Sequence, residues 1–336
     1  MLNALRDPLK YGFAVGRIKV RETKMLGSNR LDRLINADDF ADQKRILAET
    51  DYANFFQEAK TPEDVEESLD NYLAVLYEFL EEVYPDKQIL SYFRSRYDFH
   101  NLKVLLKAKY EGKPIERIWS KLGMLEIEKI KKAIEESELE EIIEPYRSAL
   151  YEAMERFEQD RDFQQIDIVL DKALYRYLYE VARKQKNKFF IGFVRSLIDL
   201  VNLKVFLRAK ILNREPKFIE DAFLNKGYLE KEKLVSIYHD TLSIVADKLK
   251  ETPYAAILQE SMVGQEFNLD LFDKKVDDFL IHYIQPVKYI PVGLEPLISY
   301  IMAKENEVKS LRIILIGKLS GLSAQTIKER VRVQYV

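Results

Sequence analysis

Asp98-Phe99-His100-Asn101-Leu102-Lys103-Val104-Leu105-Leu106-Lys107-Ala108-Lys109 returns, 101 positions later, as Asp199-Leu200-Val201-Asn202-Leu203-Lys204-Val205-Phe206-Leu207-Arg208-Ala209-Lys210. A more divergent third copy is Glu307-Val308-Lys309-Ser310-Leu311-Arg312-Ile313-Ile314-Leu315-Ile316-Gly317-Lys318. Solenoid units repeat every ~20–50 residues, so this period is too long for one. Each copy is therefore expected to be a lobe with its own apolar interior.

Further markers keep the same order. About 28 residues before the first two copies stand Leu69-Asp70-Asn71 and Leu170-Asp171-Lys172, and about 34 before the third stands Phe272-Asp273-Lys274. After the first two copies come Gly123-Met124-Leu125-Glu126 and Gly227-Tyr228-Leu229-Glu230. Glu49-Thr50-Asp51-Tyr52 near one end matches Glu251-Thr252-Pro253-Tyr254 towards the other. Length alone suggests two domains; the ordered markers instead divide the chain near Pro114 and Pro216. The expected lobes are residues 1–114, 115–216 and 217–336.

With 47% apolar and 32% charged residues, the composition is that of an ordinary globular protein. A net charge of −3 offers no basic field for nucleic acid. The absence of cysteine excludes disulfides, thiolate nucleophiles and cysteine-bound zinc, and fits a reducing cytoplasm. Met1 to Lys10 lacks the apolar core of a signal peptide. No apolar run approaches the ~20 residues that cross a bilayer, so a peripheral rather than spanning protein is expected.

Helical periodicity dominates. Thr61-Pro62-Glu63-Asp64 reads as a helix start, followed by one apolar stripe through Val65, Leu69, Leu73, Leu76, Leu80 and Val83. Glu126 to Glu144 reads as a further helix with Ile127, Ile130, Ile134 and Ile142 near one face. Leu102, Leu105, Leu106 and Lys109 follow the i, i+3, i+4, i+7 pattern, the lysine snorkelling. Breaks fall at Tyr84-Pro85-Asp86, Gly112-Lys113-Pro114 and Arg214-Glu215-Pro216. No segment alternates like a strand, and the expected class is all-α.

Catalytic constellations are not found. His100, His239 and His282 stand alone, without partners at metal-ligand spacing. Gly317-Lys318-Leu319-Ser320-Gly321 lacks the spacing of a phosphate loop. Glu135-Glu136 and Glu140-Glu141 lie on solvated faces, where a carboxyl makes a poor general acid. The polar set that repeats is Asp98, Asn101 and Lys103 with Asp199, Asn202 and Lys204, echoed by Glu307 and Arg312. Two roles fit it: a pseudo-threefold ring of partner contacts, or inter-helix bonds inside each lobe. The second is preferred because buried polar groups normally find internal partners. Arg94-Ser95 and Arg195-Ser196, just upstream, are candidate members of the same networks.

These tripled helices, with the opening Tyr11-Gly12-Phe13-Ala14-Val15-Gly16-Arg17-Ile18-Lys19-Val20-Arg21-Glu22, resemble the C subunit of V/A-type rotary ATPases, the counterpart of the vacuolar d subunit. The likeness covers essentially the whole chain. It implies three similar helical lobes in a pseudo-threefold funnel around a central opening. It also implies a non-catalytic rotor part on the cytoplasmic face of the membrane, with no cofactor and no small-molecule substrate. The implied partners are the central-shaft subunits of the ATPase head and the membrane proteolipid ring. The third copy departs from the pattern: Ala303-Lys304 replaces Arg-Ser, and Glu307 and Ser310 replace Asp and Asn. Strict threefold equivalence of any contact ring is therefore not expected. A helical scaffold gripping an amphipathic partner helix is the alternative reading; a helical hydrolase or transferase would need a convergent cluster of acids or histidines that the spacing does not offer.

Overall fold

Helices form wherever the 3.6-residue apolar period runs unbroken and stop at the residues that interrupt it. The computed structural model describes residues 9–112, 119–264 and 266–336. In chain order the helices are α1 (Leu9–Glu22), α2 (Ser28–Asn36), α3 (Phe40–Leu47), α4 (Pro62–Val83), α5 (Lys87–Glu111), α6 (Ile127–Glu136), α7 (Tyr146–Asp160) and α8 (Phe163–Lys184). They continue with α9 (Lys188–Ile211), α10 (Pro216–Ala222), α11 (Lys231–Ser236), α12 (Leu242–Lys248), α13 (Ala255–Glu260), α14 (Leu269–Ile284), α15 (Leu294–Leu319) and α16 (Ala324–Arg330). The all-α class is observed. The Pro114 boundary and the first eight residues of the Met1–Lys10 segment lie outside the described residues.

Two expectations are corrected. The helix expected across Glu126 to Glu144 ends at Glu136, because Ser137 turns left-handed (φ 59°) and the Glu138 N–H closes back on the Ala133 carbonyl at 2.9 Å. Ile142 is still buried, but beyond the break. A minimal antiparallel ladder, β1 (Met262–Val263) with β2 (Glu266–Phe267), places Met262 opposite Phe267. Two residues per strand are too few for alternation to be read.

The chain divides into two compact units, Met1–Lys87 with Leu242–Val336, and Gln88–Thr241. In the first, α15 is the hub and packs against α1, α2, α3, α4, α14 and α16. It buries residues on every side, from Leu297 and Ile301 to Leu311 and Leu315, so it has almost no polar face. In the second, α7, α8, α9 and α10 pack in succession. Tyr92 of α5 meets Phe190 of α9 edge to face with centroids 4.8 Å apart.

The start of α4 shows how local sequence sets these elements. Thr61 Oγ1 accepts from the Asp64 N–H at 3.2 Å, and Asp64 Oδ2 accepts from the Thr61 N–H at 2.9 Å, a reciprocal capping box. Val65, Leu69, Leu73, Leu76, Leu80 and Val83 are all buried beyond it. The N–H groups of Lys60 and Thr61 hold the Asp64 carboxyl below its ordinary value. A depressed folded pKa stabilises above the unfolded pKa and loses that contribution as pH falls. Thr61→Ala should therefore lower unfolding free energy by about 1 kcal/mol in urea titrations. The stability gap between wild type and Asp64→Asn should be present at neutral pH and shrink as pH drops below ~4.

Candidate functional site

The repeated polar residues point at the segment that follows each copy. On α5, Asp98 is fully buried, and its Oδ1 accepts from the N–H groups of Met124 at 2.7 Å and Leu125 at 3.0 Å. Its Oδ2 accepts from the Tyr146 hydroxyl at 3.0 Å. One turn on, Asn101 donates to the Ser120 carbonyl at 2.9 Å and accepts the Ser120 N–H at 2.7 Å. One turn before, Arg94 donates to the carbonyls of Leu122 (2.9 Å) and Gly123 (2.7 Å). At the far end Lys109 reaches the Ile134 carbonyl at 2.5 Å and Ser137 Oγ at 2.9 Å, closing on the end of α6.

The second copy repeats the arrangement. Asp199 on α9 accepts from the Tyr228 N–H at 2.9 Å and the Leu229 N–H at 2.9 Å. Asn202 exchanges bonds of 2.9 and 2.8 Å with the carbonyl and N–H of Leu224. Arg195 donates to the Gly227 carbonyl at 2.9 Å, and Lys210 donates to the carbonyls of Tyr238 and Asp240 beyond α11. In both copies the carboxylate takes the last N–H groups before a helix N-cap, loop donors that no helix or sheet ladder pairs. Both loops carry a glycine there for space. A Cβ on Gly123 would collide with Asp98 Oδ1, and one on Gly227 with Asp199 Oδ1.

The third copy takes its loop from the opposite end of the chain. Glu307 on α15 is fully buried, and its Oε2 accepts from the Leu26 N–H at 2.6 Å. Leu26 sits immediately before Gly27, the N-cap of α2, as Leu125 sits before the N-cap of α6 and Leu229 before that of α11. Oε1 accepts from the Tyr52 hydroxyl at 2.7 Å, the bond that Tyr146 makes to Asp98. Lys304, at the Ser95 station, is 1% exposed and donates to the same Oε1 at 2.7 Å. Ser310, at the Asn101 station, accepts from Gln334 Nε2 at 2.9 Å, fastening the C-terminal tail.

Charge follows burial. Desolvation pushes the Asp98 carboxyl up against the pull of Leu125, Tyr146, Met124 and Arg94. Burial and the Asp98 charge both raise the Tyr146 phenol, so it keeps its proton and donates. Burial alone would lower Lys304, but the Glu307 carboxylate with the Tyr72 and Tyr300 phenols outweighs it and holds the ammonium above its ordinary value.

The basic members of the repeat serve a second set of contacts, between different copies. Lys103 donates to Asp171 at 2.6 Å and Lys107 to Asp167 at 2.7 Å, both on α8. Arg312 donates to Glu66 at 2.6 Å and lies 3.9 Å from Asp70, both on α4. The Leu-Asp marker of one copy thus meets the basic residue of another. Lys204 is half-buried on α9. Sequence reading missed Tyr146 and Leu26 and placed Tyr52 only within the Glu-Thr-x-Tyr marker, although Glu144-Pro145-Tyr146 echoes Glu251-Thr252-Pro253-Tyr254, and Met25-Leu26 echoes Met124-Leu125. His100, His239 and His282 are exposed. No group of three or more His, Cys, Asp and Glu among the described residues is arranged to hold a metal ion.

The family model described as ATP synthase (C/AC39) subunit matches residues 14–330. The C subunit of the A-type ATP synthase of Methanocaldococcus jannaschii is 29% identical, over 96% of this chain and 86% of that protein. The C subunit of the V-type sodium ATPase of Enterococcus hirae is 26% identical, over 95% of this chain and 97% of its own length. Its namesake in the A-type ATP synthase of Thermococcus kodakarensis is 26% identical over 95% of this chain and 89% of its own.

Asp98→Ala leaves two part-buried N–H groups and a buried phenol without an acceptor and should cost about 2–3 kcal/mol of unfolding free energy. Asp98→Asn keeps one acceptor and should cost less, while Gly123→Ala and Gly227→Ala should each destabilise although they only add a methyl. In the third copy, Lys304→Met leaves the Glu307 charge buried without its counter-ion and should cost about 3–5 kcal/mol. Lys304→Met with Glu307→Gln should cost less than the two single changes added together, as a double-mutant cycle would measure.

Proposed function

The chain belongs to the ATP synthase (C/AC39) subunit family, and from that premise we propose that it is a non-catalytic rotor component of a rotary ATPase. In this reading it is a socket that joins the central shaft to the membrane proteolipid ring, sitting peripherally on the cytoplasmic face. Its organisation is three lobes, residues 1–114, 115–216 and 217–336, arranged as a pseudo-threefold funnel. The relatives named as C subunits of an A-type ATP synthase and of a V-type sodium ATPase support a subunit of a rotary ATPase.

The observation that carries the mechanical reading is where the repeat puts its polar groups. Asp98, Asn101, Asp199, Asn202 and Glu307 are buried, and each bonds a loop or tail of this same chain. A coupling piece must resist torsion, and hydrogen bonds buried away from water fix the relative position of a helix and a distant segment more tightly than apolar packing alone. Groups held this way have no freedom to bind substrate. In addition, none of the described helices is long and apolar enough to cross a membrane.

The test is affinity purification of the tagged chain from detergent-solubilised membranes, probed for shaft subunits and proteolipid. Recovery of both is expected. Recovery of neither overturns the proposal, and recovery of an unrelated partner through an amphipathic helix would favour the scaffold reading.

A further inference from the structure

We propose that a groove between α1, the turn at residues 50–55 and α4 is a docking site for an acidic amphipathic helix of a partner subunit. This rests on the reading that the chain works inside a rotary ATPase, and it goes further by naming a surface and its occupant's chemistry. Helix α1 has two unlike faces. Ala14, Val15 and Ile18 are buried, whereas Phe13 is 67% exposed and Val20 64% exposed. Phe13, Arg17 and Val20 follow at i, i+4 and i+7, one continuous stripe, and Lys24 lies in the turn just beyond the helix end.

Beside that stripe lies a cavity of about 560 Å³, with Arg17, Val20, Arg21 and Lys24 on one wall and Asp51 on the other. Val75 of α4, itself 49% exposed, adds an apolar patch. Three cations face a single acid in a chain whose net charge is −3, so the groove stands out from the molecule's overall sign. Asp51 lies 3.6 Å from Lys24 and offsets that cation alone. Among the described residues neither Arg17 nor Arg21 has an ion-pair partner.

Both arginines are instead held by an aromatic ring. The guanidinium of Arg21 lies 3.7 Å from the Phe79 centroid and that of Arg17 lies 5.1 Å from it. A ring behind a guanidinium orients its donor fork and lowers the entropy lost when a carboxylate binds. Positions i and i+4 put the two arginines one turn apart on the same face, with Cβ atoms about 5–6 Å apart, which suits two acids one turn apart on a facing helix. Val20 and Val75 then receive the apolar residues that such a helix carries between its acids. The shape disfavours a bilayer surface: the cations line one wall of a concave cleft, which a helix can enter and a flat plane of headgroups cannot.

The test uses the intact, detergent-solubilised ATPase complex, with p-benzoylphenylalanine at Val20 or Val75 and, as control, at Tyr289, which is 87% exposed and outside the groove. Illumination should join Val20 and Val75, but not Tyr289, to one segment of another subunit with acids three or four residues apart. Arg17→Glu with Arg21→Glu should reduce the fraction of chain retained in the complex about tenfold at physiological salt. Its melting temperature should fall by no more than a few degrees, as loss of the two contacts to Phe79 requires, and Arg17→Lys with Arg21→Lys should keep most of the binding. Cross-links to lipid, to a basic segment or to nothing, or full retention of the charge-reversed chain, overturn the inference while wild-type co-purification leaves the rotor reading standing. Should the charge-reversed chain misfold, the cross-links from otherwise wild-type protein decide. Failure of the wild-type chain to join any ATPase complex removes both.

Discussion

A buried carboxylate that collects the N–H groups of a distant loop is the constraint on which the rest of this structure depends. The loop residues just before a helix N-cap have backbone donors that neither a helix nor a sheet ladder pairs. Buried and unmatched, each such donor costs about 1–3 kcal/mol. Asp98, Asp199 and Glu307 meet that need from inside a long helix, and in doing so each fixes where the next segment lies. Neighbouring residues are fitted to the same task. The glycine clears room for the carboxylate, the asparagine pairs with both backbone groups of a residue upstream, and the arginine takes the intervening carbonyls.

The third copy shows what changes when the loop comes from far away. Asp98 and Leu125 are separated by 27 residues, Glu307 and Leu26 by 281. Loop-closure entropy grows only logarithmically, so this roughly tenfold increase adds about 2 kcal/mol to the cost of bringing the groups together. The third copy carries a longer acid and a lysine in direct contact with it, where the other copies place a serine. Charge-assisted hydrogen bonds are about twice as strong as neutral ones. The strongest fastening thus stands where closure is most expensive, holding the N-terminal segment and, through Ser310 and Gln334, the C-terminal tail on one helix.

Much of this was legible in the chain. The apolar stripe beyond Thr61 is buried as its period requires, and the helices stop at Tyr84 and Leu212, close to the prolines that mark both breaks. Asp98 and Asn101 stood out because a mediocre helix former had been kept at a fixed distance from an acid. What could not be read was the identity of their partners. A backbone N–H has no side-chain signature, so Met124 and Leu125 were visible only as part of the Gly-x-Leu-Glu marker. Leu26 was harder still, since linear order places it in the first copy and space places it against the last. The helix expected to run to Glu144 failed for a local reason: its isoleucines keep a rough helical spacing, but Ser137 adopts the left-handed turn that ends the run.

The allocation of residues inside the fold also bears on recognition. Duplication supplies each copy with the same internal fastenings, and these bury the residues that most resemble one another. Surface features that distinguish one copy from another must therefore lie outside the repeat markers. The stripe on α1 is of this kind: Phe13, Arg17 and Val20 belong to no marker, and Arg17 and Arg21 are backed by Phe79, a residue the repeat does not require. In the proposed three-lobe organisation, an asymmetric partner can be bound in one orientation only if some unrepeated surface breaks the symmetry. An arginine pair backed by an aromatic ring does so with directional bonds, which fix an angle as well as a position.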